Sequence, residues 1–138
     1  MMRLETTRVE RMQCVFAAVP EVAAVFLFGS QAEGRARADS DVDLALVPAA
    51  GKNLRARKLD ILAALARQGV TDVDLVVLDR HDVVLSHEAI RMNRLLYARP
   101  DFDRGSFYSK MIREYFDFQP YLKVQREALK ARLAYGAP

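Results

Sequence analysis

The chain has 138 residues, 51% of them hydrophobic, a formal charge of +3 and a single cysteine. This predicts one domain over residues 1–138 with a core of its own, and it excludes a disordered chain, an internal disulfide and a multi-cysteine zinc site. The longest apolar run, "VAAVFLF", is too short to cross a bilayer and no apolar signal core opens the chain, so the expected location is the cytoplasm, with no membrane partner.

In chain order, residues 4–19 read as a helix: Leu4, Met12, Val15, Phe16 and Val19 share one face, Pro20 stops it, and Cys14 is expected as a small core residue. Residues 22–28, rich in Val and Phe, read as a buried strand broken by Gly29. Residues 41–47 are a second strand ended by Pro48, and residues 53–69 a helix closed by Gly69. A third strand follows within 70–79, then a helix within 81–92. Asn93 suits a left-handed cap before a short edge strand, "RLLY". From about residue 102 apolar positions return at helical spacing, and Pro120 inside them predicts a kink or two helices end to end. The expected architecture is α+β: a mixed sheet of about four strands flanked by helices, with a C-terminal helical extension.

The chemistry concentrates in "FLFGSQAEGRARADSDVDLALV", residues 26–47. Strand residues two apart share a face, so Asp41 and Asp43 point the same way, about 6.5 Å apart, while Val42, Leu44 and Leu46 line the other face. Two carboxylates at that spacing repel by about 3 kcal/mol at an effective dielectric near 20, and a cation between them offsets this. Magnesium suits such an all-oxygen site, and two ions can serve both the attacking and leaving oxygens of a phosphoryl transfer. The plainer alternative is a strand end in water. Gly29 allows close approach of a ligand to the backbone, and Ser30 offers a hydroxyl and free amides, a seat for phosphate. "DVDLVVL" repeats the texture of "DVDLALV"; Asp74, set inside an apolar run, is the expected third carboxylate, with Asp72 as the fallback.

Gly29-Ser30 followed after ten residues by Asp41-Val42-Asp43 resembles the signature of the polymerase-beta-like nucleotidyltransferase superfamily. Within it, the stretch 26–47, "VDLVVLD" and the tail "REYFDFQPYLKVQREALKARL" resemble the minimal nucleotidyltransferase antitoxins that pair with HEPN toxins, over nearly the whole chain. The one departure is Asn93, where members of that family often have glycine before "LLY". The resemblance implies a nucleotidyltransferase fold and a Mg²⁺-dependent transfer of AMP from ATP to a tyrosine of a HEPN-type RNase toxin, held in a hetero-oligomer. It implies that Gly29 and Ser30 contact the triphosphate, that Asp41 and Asp43 hold magnesium, and that Asp74 completes the acidic set and helps deprotonate the acceptor hydroxyl. Arg35 or Arg37 would steady phosphates, with solvated loop arginines the alternative.

His81 and His87 lack the second histidine of a zinc-binding helix and read as surface or helix-cap residues, and no phosphate-binding loop ends in Gly-Lys-Ser/Thr. Two other functions stay open: an antitoxin that acts by binding alone, and a nucleotidyltransferase acting on a small molecule such as an aminoglycoside. Direct nucleic-acid binding rests only on the modest positive charge and is not expected.

Overall fold

The computed structural model describes residues 6–28, 42–78 and 82–136. Among them are α1 (Thr6–Ala17), β1 (Val22–Phe28), β2 (Val42–Pro48), a 3-10 turn (Arg55–Arg57) running into α2 (Lys58–Arg67), β3 (Val73–Val77), α3 (Val83–Ile90), β4 (Arg94–Ala98) and α4 (Arg104–Gly136). The strands form one mixed sheet in the order β3-β2-β1-β4. β1 runs antiparallel to both β2 and β4, while β2 and β3, joined through α2, are parallel. The α+β architecture and the edge position of "RLLY" are as expected.

Both sheet faces are covered, which is why the strands are apolar nearly throughout. On one face Val42, Leu44, Leu46, Leu75 and Val77 pack with Met12, Val15 and Phe16 of α1 and with Ile61 and Leu65 of α2. On the other, Ala24, Phe26, Ala45 and Val47 meet Ala89 and Ile90 of α3, with Phe107, Tyr108 and Met111 of α4 packed alongside. Phe26 stacks on Phe107 at 5.8 Å between ring centroids and meets Phe102 edge-on at 6.4 Å.

Three expectations need correction. Cys14 is exposed. At 100° per residue it stands about 200° from Met12, and Met12, Val15 and Phe16 already define the inward face. Residues beyond Pro120 do not form a second helix: α4 is one helix of 33 residues with Pro120 inside it. Proline cannot bond the Phe116 carbonyl, but both residues are exposed here, where solvent can satisfy the freed oxygen. His87 is not a cap; half-buried in α3, it stacks on Tyr115 of α4 at 3.7 Å and 9°. His81 lies outside the described residues. No helix among the described residues is long and apolar enough to cross a membrane.

The turns follow local chemistry. Gly69 has φ +82°, its amide bonds the Ala66 carbonyl at 2.9 Å, and the Val70 amide reaches back to Leu65 at 2.9 Å, the paired bonds of a Schellman cap. Asn93 takes φ +52°, as its sequence position predicts, and Arg104 donates to its side-chain oxygen at 3.0 Å. Asp82 caps α3 through the Leu85 amide at 2.9 Å. Asp103 caps α4, accepting from the Ser106 amide at 3.0 Å and the Ser106 hydroxyl at 2.8 Å.

Gly69→Ala should lower stability by about 1–2 kcal/mol in denaturant unfolding, because a Cβ at Gly69 meets nothing closer than ordinary contact and the cost is purely that of the left-handed backbone. The Ser106 amide and then its hydroxyl hold the Asp103 carboxyl below the ordinary aspartate value. A group depressed in the folded state stabilises above its unfolded pKa and loses that contribution as pH falls through the folded one. Asp103→Asn should therefore lower Tm modestly at neutral pH, converge on the wild type at acid pH, and so flatten the acid limb of the Tm-against-pH profile.

Candidate active site

β1 leaves the sheet at Phe28, whose partner across the antiparallel ladder is Asp43 near the start of β2. In the parallel ladder on the other side, Val42 pairs with Val73, Asp43 with Asp74 and Leu44 with Leu75. Register partners on adjacent strands point to the same face, with backbones about 4.8 Å apart. Asp43 and Asp74 thus stand side by side on the α3/α4 face, while Val42, Leu44 and Leu75 fill the opposite core. The ladder is held beyond both ends of this stretch: the Val42 amide bonds the Asp72 carbonyl at 2.8 Å and the Leu78 amide bonds the Leu46 carbonyl at 2.9 Å.

Two carboxylates about 5 Å apart repel by about 1 kcal/mol in bulk water and about 3 kcal/mol at an effective dielectric of 20. Asp43 is half-buried and Asp74 exposed, so the pair spans the boundary between those limits. Asp74 makes no hydrogen bond or ion pair among the described residues.

Asp72, the fallback third carboxylate, is engaged elsewhere: it forms an ion pair with Arg8 of α1. That tether joins residues 64 apart in the chain, and no sequence pattern announces it. Gly29, Ser30, Arg35, Arg37 and Asp41 lie outside the described residues. Among the described residues no three His, Cys, Asp or Glu side chains form a metal-binding cluster. Two members of the expected acidic set are thus brought together, and both offer the oxygen ligands that magnesium prefers.

The described residues also enclose a cavity of about 710 Å³, but at the opposite end of β2. Val47 and Leu78, Phe107 and Met111 of α4, and Lys52 and Lys110 are among the residues that line it. No sequence pattern brings these residues together, because they come from separate segments of the chain.

A family model described as "Polymerase beta, Nucleotidyltransferase" matches residues 10–102, well over half of the chain. The chain belongs to this nucleotidyltransferase family. The matched span includes both Asp43 and Asp74. The nucleotidyltransferase is 29% identical over 111 residues to protein adenylyltransferase MntA of Shewanella oneidensis, covering 80% of this chain and 76% of that protein. It also resembles a toxin–antitoxin crystal structure with AMP-PNP, at 25% identity and a TM-score of 0.64, over 95% of this chain and 99% of that one. The tri-AMPylated Shewanella oneidensis HEPN toxin in complex with MNT antitoxin shares the fold, at 22% identity and a TM-score of 0.64, over 95% and 99% of the two chains.

The geometry separates the two candidates for the third carboxylate. Asp72→Asn should lower stability by at most about 1 kcal/mol through the partly exposed Arg8 pair. Asp74→Asn, measured in chelator, should leave stability unchanged or raise it, because it relieves repulsion and breaks no bond.

Proposed function

We propose that this nucleotidyltransferase transfers AMP from ATP to a tyrosine of a HEPN-type RNase toxin and so silences it. The observation that carries the reading is the register of Asp43 with Asp74 on one face, beside the strand end from which the chain continues into Gly29 and Ser30. Membership of the nucleotidyltransferase family supports the reaction type. The adenylyltransferase relative and the AMP-PNP complex support the nucleotide and the protein acceptor.

In this reading residues 1–138 act as one nucleotidyltransferase domain with a helical tail, working in the cytoplasm, where ATP is available. Asp41, Asp43 and Asp74 would hold Mg²⁺, with room in such an all-oxygen set for two ions. When bound, the metal neutralises charge on the triphosphate and on the leaving pyrophosphate. Gly29 lets the backbone approach the triphosphate, and the Ser30 hydroxyl and neighbouring amides hold its oxygens. Arg35 or Arg37 steadies the phosphates.

The acceptor tyrosine oxygen attacks the α-phosphorus of ATP, the bond from that phosphorus to the bridging oxygen breaks, and pyrophosphate leaves. Asp74 takes the tyrosine proton, since an exposed carboxylate has lone pairs beyond those shared with a cation. The α1/α2 side of the sheet holds the two strands rigid, so the carboxylates need not reorganise during the transfer.

The long exposed run of α4 supports a second reading, in which binding alone neutralises the toxin. Incubating the toxin with the chain, ATP and Mg²⁺ and weighing it by mass spectrometry distinguishes the two. Transfer predicts mass steps of one AMP each, and Asp74→Asn should slow their appearance at least about 100-fold. A toxin that stays unmodified yet is silenced would establish binding alone.

A further inference from the structure

α4 carries an apolar seam from Met111 to Leu133, with Phe116, Tyr121 and Val124 exposed off it. At 100° per residue, Met111, Tyr115, Phe118, Leu122, Leu129 and Leu133 fall within about 60° of one another. The first half of this seam is already in use: Met111 packs against the sheet and Tyr115 stacks on His87. Phe118 and Leu122 are half-buried. Beyond them nothing covers the seam among the described residues, and Leu129 and Leu133 are 52% and 62% exposed. Leucine at those two positions, on a seam that is core upstream, is the pattern of a helix awaiting a neighbour.

The flanks select the neighbour. Beyond Tyr121 the helix carries Lys123, Arg126, Lys130 and Arg132 against the single carboxylate Glu127. Arg126 and Lys130 border the seam on one side and Arg132 on the other, whereas Glu127 falls on the back. A second copy laid along this seam would set cations against cations. An apolar groove or helix with an acidic rim would be complementary.

We infer that the run of α4 beyond Phe118 is the docking helix for the toxin, engaging an acid-rimmed apolar groove on it and tethering it while its tyrosine reaches the carboxylate end of the sheet. The inference rests on the reading of a toxin partner. It is consistent with the AMP-PNP-bound toxin–antitoxin, whose match to 95% of this chain leaves too few residues unmatched to omit the tail.

The test uses the full chain carrying Leu129→Glu and Leu133→Glu together. Both sites are exposed, so the variant should melt like the wild type and bind ATP equally well. Calorimetry with the cognate HEPN toxin should show affinity reduced at least about tenfold, and the KM for toxin in AMP transfer should rise by a similar factor with kcat unchanged. Arg126→Glu with Arg132→Glu should weaken binding and reduce its salt dependence. Wild-type affinity in the leucine variant would overturn the inference. So would failure of the wild type to bind the toxin, or a wild-type dimer that the leucine variant dissolves. A wild type that binds the toxin but transfers no AMP would overturn the catalytic reading alone, and calorimetry on the leucine variant would still decide the docking.

Discussion

The parallel pairing of β2 with β3 decides where the carboxylates stand. Side chains alternate along a strand, so a slip of one residue would turn Asp74 into the core under α1 and α2 and bring Val73 and Leu75 out beside Asp43. That exchange would strand a charge among Leu44, Leu46 and Ile61 and expose apolar surface, a cost of several kcal/mol. A slip of two would keep the face but displace Asp74 about 6.6 Å along the strand, leaving the two carboxylates about 8 Å apart. Apolar packing on one face of the sheet therefore sets the spacing of the charges on the other.

This explains how the fold tolerates a pair of like charges. Asp43 and Asp74 add repulsion of only about 1–3 kcal/mol, against a core in which Leu44, Leu46, Leu75 and Ile61 are each almost completely buried. Each such side chain contributes roughly 1.5–3 kcal/mol, so the strands hold their register without help from a ligand. The same face then changes character along β2, from carboxylates at its start to Ala45 and Val47 under α3 and α4. Chemistry and packing thus share one surface, divided along the strand direction. α4 extends the packed half of that surface outward.

Much of this was legible in the sequence because it depends on short periods. Alternation in "DVDLALV" and "DVDLVVL" put Asp43 and Asp74 opposite their apolar neighbours, and Asn93 and Gly69 marked left-handed turns through local sterics alone. What the sequence did not carry depends on distant partners. Periodicity fixes register only modulo two, so the pairing of Asp43 with Asp74 rather than with Asp72 required the long-range ladder. The ion pair that occupies Asp72 comes from Arg8, a residue whose position on α1 has no sequence relation to β3. Cys14 was misread because cysteine favours burial in general, although its own helical angle placed it outside. Of the kink or pair of helices that Pro120 suggested, the pair does not form, because the helix has left the sheet there and losing one hydrogen bond to water is tolerable. The cavity lined by Val47 and Leu78 has no sequence signature because its lining comes from segments far apart in the chain.

The proposed transfer depends on Asp43 and Asp74 acting as one divalent-cation site. Titrating the protein with Mn²⁺ and counting free ion by electron paramagnetic resonance tests this directly. The wild type should bind manganese, Asp43→Asn and Asp74→Asn should each weaken binding at least about tenfold, and Asp72→Asn should bind as the wild type does. Full manganese affinity in Asp74→Asn, or its loss in Asp72→Asn alone, would contradict it.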